Sequence, residues 1–166
     1  MTVPSNDELL FLALGGAGEI GMNLNLYGTA GKWLMVDLGI GFADSTMAGV
    51  EVVMPDPEFI VERRDDLVGI VLTHAHEDHL GAVADLWPRL KAPVYATPFA
   101  ASVLKRKLID AGLRDVVPVT EIPLGGRFDL KPFELEMITM THSILEPNAL
   151  AIRTKFGTVF HTGDWK

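Results

Sequence analysis

The sequence predicts a single α+β domain, and three patterns along the chain support that prediction. Near the start, apolar and polar side chains alternate from residue 23 to 27, and the turn GTAG separates them from the apolar run 33–36, which is typical of a β-hairpin. The middle of the chain has helical spacing, and residues 149–162 read as two strands around a turn at Gly157. Hairpins at both ends with helices between them fit a layered α+β domain better than a doubly wound one.

The middle of the chain predicts strands and helices in alternation. Residues 67–73 and 93–97 are short apolar runs of the kind that form buried strands. Apolar residues recur at helical spacing after the first run, at Leu80, Val83, Ala84 and Trp87. After the second run, Pro98 and Gly112 stand where a helix begins and ends. Residues 133–141 alternate again, which predicts a strand before the last hairpin.

A glycine pattern near the start raises the question of dinucleotide binding. Gly16, Gly18 and Gly21 match G-x-G-x-x-G after an apolar run, and Asp37 stands where such a fold places its ribose-binding carboxylate. A dinucleotide fold needs a helix that begins at the third glycine, whereas the hairpin follows here at once. We therefore expect these glycines to allow a tight crossing between the first two strands.

Composition limits the chemistry that is open to this chain. Its 166 residues, 48% of them hydrophobic, suffice for one core. With no cysteine, any metal must be bound by histidine and carboxylate groups. The net charge of −8 argues against a broadly basic nucleic-acid surface, although bound cations would reverse the field locally. We expect no signal peptide and no membrane span, and hence a cytoplasmic protein.

The strongest chemical signal is the segment THAHEDHLG, which contains His74, His76, Asp78 and His79. Side chains on a strand repeat every two residues, so His74 and His76 would face the same side and meet one metal ion. The chain then turns into a helix, which moves Asp78 and His79 to a neighbouring position suited to a second cation. A pair of divalent cations can hydrolyse esters, because one polarises the substrate and both acidify a shared water.

Other predicted strand ends supply further candidates. His142 ends the alternating strand, and Asp164 follows the last strand with a carboxylate that can bridge two cations. His161 lies on that last strand, and we expect it to have a structural role. Asp37 also ends a strand, and we expect it to accept a hydrogen bond from a ligand histidine; the alternative is a turn aspartate that caps Gly39.

Several segments together resemble ribonuclease J, a family in the β-CASP branch of the metallo-β-lactamase superfamily. The metal motifs are similar across that superfamily, whereas GGAGEIG together with HTGDWK resembles ribonuclease J in particular. The resemblance covers nearly the whole chain. It implies a four-layer αββα sandwich with a dinuclear zinc site, Mn²⁺ being the alternative metal, and RNA as the substrate.

The resemblance also implies a role for each motif residue. One zinc would be bound by His74, His76 and His142 and the other by Asp78 and His79, with Asp164 bridging. Asp78 or Asp164 would assist proton transfer. In that family a further histidine comes from beyond an inserted β-CASP domain, and all five histidines here are already assigned. We therefore expect residues 1–166 to be the N-terminal half of the lactamase fold, whose uncovered sheet edges favour a homo-oligomer.

Three functions follow from these observations. The resemblance implies a zinc-dependent ribonuclease with 5′–3′ exonuclease and endonuclease action in RNA processing and decay. A small-molecule metallohydrolase, such as a lactonase or a thioester hydrolase, needs the same metals and suits the acidic composition. An inactive metal-binding fragment is the third alternative, because the second zinc would lack a ligand.

Overall fold

The computed structural model describes residues 3–43 and 45–166, and two β-sheets with a helical layer dominate it. The strands are β1 (Leu10–Gly15), β2 (Leu24–Thr29), β3 (Lys32–Val36), β4 (Gly41–Phe42), β5 (Val52–Val53), β6 (Leu67–Val71), β7 (Val94–Ala96), β8 (Val119–Glu121), β9 (Arg127–Leu130), β10 (Phe133–Thr139), β11 (Asn148–Thr154) and β12 (Gly157–His161). The helices are α1 (Glu58–Val61), α2 (Glu77–Leu80), α3 (Val83–Leu90) and α4 (Pro98–Asp110), with a 3₁₀ turn at Arg64–Asp66.

The larger sheet has the strand order β1-β2-β3-β6-β7-β8, and the second sheet has the order β12-β11-β10-β9. Strands β1, β2 and β3 are antiparallel, whereas β3, β6, β7 and β8 run parallel. The second sheet is antiparallel throughout. Because β3 and β6 are parallel neighbours, their carboxyl ends meet at one edge of the larger sheet.

Two apolar layers hold the domain together, one on each face of the larger sheet. Strand β3 shows the division, because its side chains alternate: Trp33 and Met35 pack with the helices, whereas Leu34 and Val36 pack against the second sheet. The described residues thus form a helical layer and two sheets, which are three layers of an αββα sandwich. The predicted α+β class is confirmed.

Most predicted elements are present, but the helix predicted from the apolar spacing of Leu80 to Trp87 is divided into α2 and α3. In a continuous helix the amide of Ala82 would donate to the carbonyl of Asp78. Here that amide donates to the Leu38 carbonyl at 3.1 Å, and the Asp78 carbonyl accepts from the Asn23 amide at 3.1 Å. Neighbouring loops therefore take the hydrogen bonds that would continue the helix.

The glycine-rich segment lies between antiparallel strands β1 and β2, and no helix begins at Gly21. The segment therefore lacks the strand–turn–helix unit of a dinucleotide-binding turn, as the sequence pattern predicts. Gly21 has a φ of +98°, and a Cβ there would stand 3.1 Å from the Cα of Gly41. The residue permits both a left-handed backbone and a close approach of two loops.

Strands β1 and β12 lie at sheet edges and carry the exposed side chains of Phe11 and Phe160. This surface agrees with the uncovered edges expected above, and the homo-oligomer remains a prediction. Within the described ranges, no helix has both the length and the apolar character needed to cross a bilayer.

Candidate metal centre

The predicted site residues come from five places in the chain that meet at one edge of the sheets. Asp37 directly follows β3, and His74 and His76 lie in the segment that leaves β6. Short helix α2 carries Asp78 and His79. The remaining two residues follow strands of the second sheet, His142 after β10 and Asp164 after β12.

The first donor group contains His74, His76 and His142, whose ligand atoms lie within 4.8 Å of one another. His76 Nδ1 is 3.0 Å from His74 Nε2 and 3.2 Å from His142 Nε2. A neutral ring nitrogen has either one proton or one lone pair, so His76 Nδ1 cannot satisfy both neighbours by hydrogen bonding. Three nitrogens that converge in this way fit a shared cation.

The second donor group is centred on His79. Its Nε2 lies 3.5 Å from Asp78 Oδ2 and 3.4 Å from Asp164 Oδ1. The other oxygen of Asp164 lies 3.6 Å from His142 Nε2 in the first group. One carboxylate therefore faces both groups, which is the position that a bridging ligand requires. All six predicted ligand residues are brought together, although coordination itself remains a proposal.

Asp37 lies buried beneath both groups and accepts three hydrogen bonds. The Thr73 backbone amide and hydroxyl donate to it at 2.8 and 2.9 Å, and His79 Nδ1 donates at 2.7 Å. The Thr73 oxygen, having given its proton to Asp37, accepts from His74 Nδ1 at 3.0 Å. These contacts assign Nδ1 as the donor on both rings, so Nε2 is the atom that each histidine presents to its donor group.

The alternative role for Asp37, capping Gly39, does not occur. The Gly39 amide donates to the Asn23 carbonyl at 3.0 Å instead. Gly39 also lets this loop approach the motif, since a Cβ there would stand 1.7 Å from the Asp78 carbonyl oxygen. The loop after β3 and the motif segment are therefore in direct backbone contact.

Burial and charge divide the histidines into two types. Burial lowers the pKa of His74 to about 4. Burial also lowers the pKa of His76, and the neighbouring His142 contributes in the same direction. Burial opposes the charged form of His79 too, but the charge and hydrogen bond of Asp37 outweigh it and raise the pKa of His79 to about 9. At neutral pH His74 and His76 are therefore neutral and offer lone pairs, whereas a cation must displace a proton from His79.

The contact between Asp37 and His79 also shifts the pKa of the Asp37 carboxyl group. Burial alone would raise the pKa of its carboxyl group, but the adjacent charge of His79 and the hydrogen bonds from His79 and Thr73 hold that pKa below its ordinary value. The carboxylate is therefore ionised across the neutral range, and it can fix the orientation of His79 whenever a cation binds.

Sequence reasoning assigned no role to two residues whose contacts tie the site's loops to distant segments. Asn23 donates through Nδ2 to the Asp78 carbonyl at 3.0 Å and lies 3.2 Å from His79 Nε2. Glu146 follows His142 in the chain and accepts from the Phe99 amide at 2.8 Å, at the start of α4. An isolated Asn or Glu carries no motif, so only the long-range contacts show their role.

His161 belongs to neither donor group in the described part of the chain. Its Nδ1 lies 2.9 Å from the Tyr27 hydroxyl, and the two rings meet edge to face. Burial, with a further contribution from Asp37, raises the pKa of Tyr27 to about 12, so its hydroxyl keeps its proton and can donate to His161. This packing contact agrees with the structural role expected from the sequence.

A cavity of about 380 Å³ opens beside the second donor group. Its walls include His79 and Asp164 from that group, Asn23 just before β2, Asn25 within β2, and backbone of the glycine-rich segment at Gly16. A small polar ligand in this cavity would lie next to the carboxylate that faces both groups.

The family model described as a beta-lactamase superfamily domain matches residues 32–166, which include every predicted ligand. The chain belongs to the beta-lactamase superfamily. Among curated members, Ribonuclease J of Sinorhizobium meliloti (strain Sm2011 / Rm2011 / 2011) is 50% identical over 165 residues. Ribonuclease J of Helicobacter pylori (strain ATCC 700392 / 26695) is 36% identical over 167 residues. The resemblance inferred from the motifs is confirmed.

This chain spans less than a third of the length of those two relatives. The matches cover 97% and 100% of this chain but only 29% and 24% of the two ribonucleases. A crystal structure of a protein of unknown function from Enterococcus faecalis V583 superimposes with a TM-score of 0.67 at 16% identity, covering 95% of this chain and 44% of that one. That likeness supports the fold alone.

Proposed function

We propose that this chain carries the metal-binding part of a metal-dependent ribonuclease of the ribonuclease J type. The observation that carries the proposal is the position of Asp164, whose two oxygens face His79 and His142 in separate donor groups. Paired cations are a known arrangement for phosphodiester hydrolysis. The curated relatives named Ribonuclease J support RNA as the substrate.

The donor set favours zinc, with Mn²⁺ as the alternative. His74, His76 and His142 would supply three nitrogen ligands to one ion, a set that suits Zn²⁺ better than oxygen-preferring cations. Asp78 and His79 would bind the second ion, and Asp164 would contribute an oxygen to each. The absence of cysteine leaves this centre without a thiolate competitor.

When bound, the cations would supply Lewis acidity toward the phosphate oxygens and would lower the pKa of an attacking water. The protein's own contribution is orientation and proton handling. Asp37 fixes the ring of His79 through a 2.7 Å hydrogen bond, so that Nε2 faces the site. Asp78 and Asp164 keep 28% and 43% of their side chains exposed, and either carboxylate can pass a proton to solvent.

The acidic character of the chain is compatible with RNA under this proposal. A net charge of −8 repels a polyanion over most of the surface, whereas two divalent cations at the centre attract phosphate locally. We further propose 5′–3′ exonuclease and endonuclease action in RNA processing and decay, a cytoplasmic location and self-association into a homo-oligomer.

The proposal is tested by cleavage of a 5′-monophosphorylated RNA in the presence of Zn²⁺ or Mn²⁺. The His76→Ala variant should cleave at least about 100-fold more slowly than the wild type, because one nitrogen of the first group is lost. Glu77→Ala is the matched control, since Glu77 is adjacent in the motif but pairs with Lys107 at 2.8 Å. Equal rates for wild type and His76→Ala would refute the ribonuclease proposal. Turnover of a lactone or thioester without RNA cleavage would refute it in favour of a small-molecule hydrolase.

A further inference from the structure

Asn23 joins the metal motif to the loop after β3 through hydrogen bonds of both its backbone and its side chain. Its amide and its side-chain Nδ2 donate to the Asp78 carbonyl at 3.1 and 3.0 Å, and its carbonyl accepts from Gly39 at 3.0 Å. Two of these bonds use backbone atoms alone. The side chain is therefore not needed to keep the two loops together, and its amide group is available for a second role.

The orientation of the Asn23 amide is fixed by its neighbours. Nδ2 must face the Asp78 carbonyl, because the flipped amide would bring two oxygens into contact. Oδ1 lies against Gly16, where a Cβ would stand only 2.3 Å from it. The second N–H of the amide is consequently left near His79 Nε2, at a distance of 3.2 Å between nitrogens.

With a cation bound at His79, the imidazole ring offers no acceptor to that N–H. Nε2 has a single in-plane position, and a coordinated nitrogen has no lone pair left to accept a hydrogen bond. The Asn23 N–H would then face the cavity of about 380 Å³ beside Asp164 without an acceptor. An anionic oxygen placed in that cavity would supply the acceptor, and a hydrogen bond to a charged oxygen is stronger than one to a neutral group.

We propose that Asn23 is a substrate-binding residue whose side-chain amide donates to a phosphate oxygen held at the second cation. This inference rests on the proposed function of the metal centre. Asn25 provides a matched comparison, because it lines the same cavity two residues further along. Within the described residues, the Asn25 side chain makes no hydrogen bond to Asp78 or His79.

The test is binding of inorganic phosphate to the Zn²⁺-loaded protein, measured by titration calorimetry together with the metal content of the same samples. Asn23→Ala and the near-isosteric Asn23→Leu should retain the metal content of the wild type and bind phosphate about tenfold or more weakly. Asn25→Ala should change phosphate affinity by less than about twofold. The two Asn23 variants differ in side-chain volume, so if one of them fails to fold the other still tests the proposal.

Each other outcome has a definite meaning. If both Asn23 variants bind phosphate as tightly as the wild type, the substrate-binding role is wrong and the metal centre stands. If phosphate affinity falls only in proportion to lost metal, Asn23 merely positions Asp78 and His79, and the proposal is again overturned. If the wild type binds no metal, the proposed function and this inference both fail.

Discussion

Nδ1 of His79 lies 2.7 Å from Oδ2 of Asp37, and both side chains are buried beneath the two donor groups. The same carboxylate accepts two hydrogen bonds from Thr73, whose hydroxyl in turn accepts from His74. One aspartate at the end of β3 therefore orients a histidine in each donor group. Its charge also sets the protonation of His79 before a cation binds.

Replacing this aspartate by its neutral analogue should weaken the second metal site most. Asn is compatible with the left-handed backbone at position 37, where φ is 64°, so Asp37→Asn should fold. We expect affinity for the second cation to fall about 10- to 100-fold, because the ring of His79 loses its charged acceptor. Competition with a chelator measures this. Asp66→Asn, which removes a surface partner of Lys32, is the control, and equal affinities in all three proteins would contradict the role of Asp37.

Metal binding should release a proton from His79 at neutral pH. With its pKa raised to about 9, this histidine is protonated below that pH, and coordination through Nε2 requires the proton to leave. Affinity for the second cation should therefore rise with pH until about pH 9 and then level off. Titration in weakly buffered solution near neutral pH should detect about one proton from this group, and less in Asp37→Asn. Equal proton release by both proteins would show that Asp37 does not control His79.

The contact at Gly39 predicts a large effect of adding one methyl group. Gly39→Ala would place a Cβ 1.7 Å from the Asp78 carbonyl oxygen, and backbone on both sides cannot yield cheaply. We expect a loss of about 3 kcal/mol or more in the free energy of unfolding. Gly112→Ala, where φ is +71° but no atom lies within 4 Å, should cost only about 1–2 kcal/mol. Denaturant unfolding compares the two variants, and similar costs would contradict this close approach.

The two histidines near the end of the chain should differ in their effect on metal content. His142→Ala removes a nitrogen of the first group and should reduce bound metal by about one equivalent at low free metal. His161→Ala removes the partner of Tyr27 and should leave metal content unchanged. Atomic absorption after gel filtration measures both, and loss of metal in His161→Ala would place that residue in the centre.

The sequence was informative about strands and ligand types because both depend on local pattern. The alternation at residues 133–141 predicts β10, and the order of His74, His76, Asp78 and His79 predicts their chemistry. For Asp37 the sequence left two roles open, an acceptor for a ligand histidine and a turn cap at Gly39, and the hydrogen bond to His79 favours the first. Which histidine it contacts was not predictable, because His79 is separated from it by 42 positions in the chain.

The break between α2 and α3 could not be predicted from the local sequence pattern either, because it depends on a contact with a distant loop. Apolar spacing from Leu80 to Trp87 is compatible with one helix, and nothing in it reveals that Leu38 takes the hydrogen bond of Ala82. The role of Asn23 depends on that same interruption, which leaves the Asp78 carbonyl available to it. Contacts between distant loops therefore decide the part of the site that the motifs do not specify.

The central claim is that the six side chains bind a pair of divalent cations, and anomalous X-ray diffraction from Zn²⁺-loaded crystals tests it most directly. The account predicts two zinc peaks. One should lie among His74, His76 and His142, and the other beside His79 and Asp78, with Asp164 between them. Absence of zinc from the first group, or zinc bound only at surface carboxylates, would contradict it.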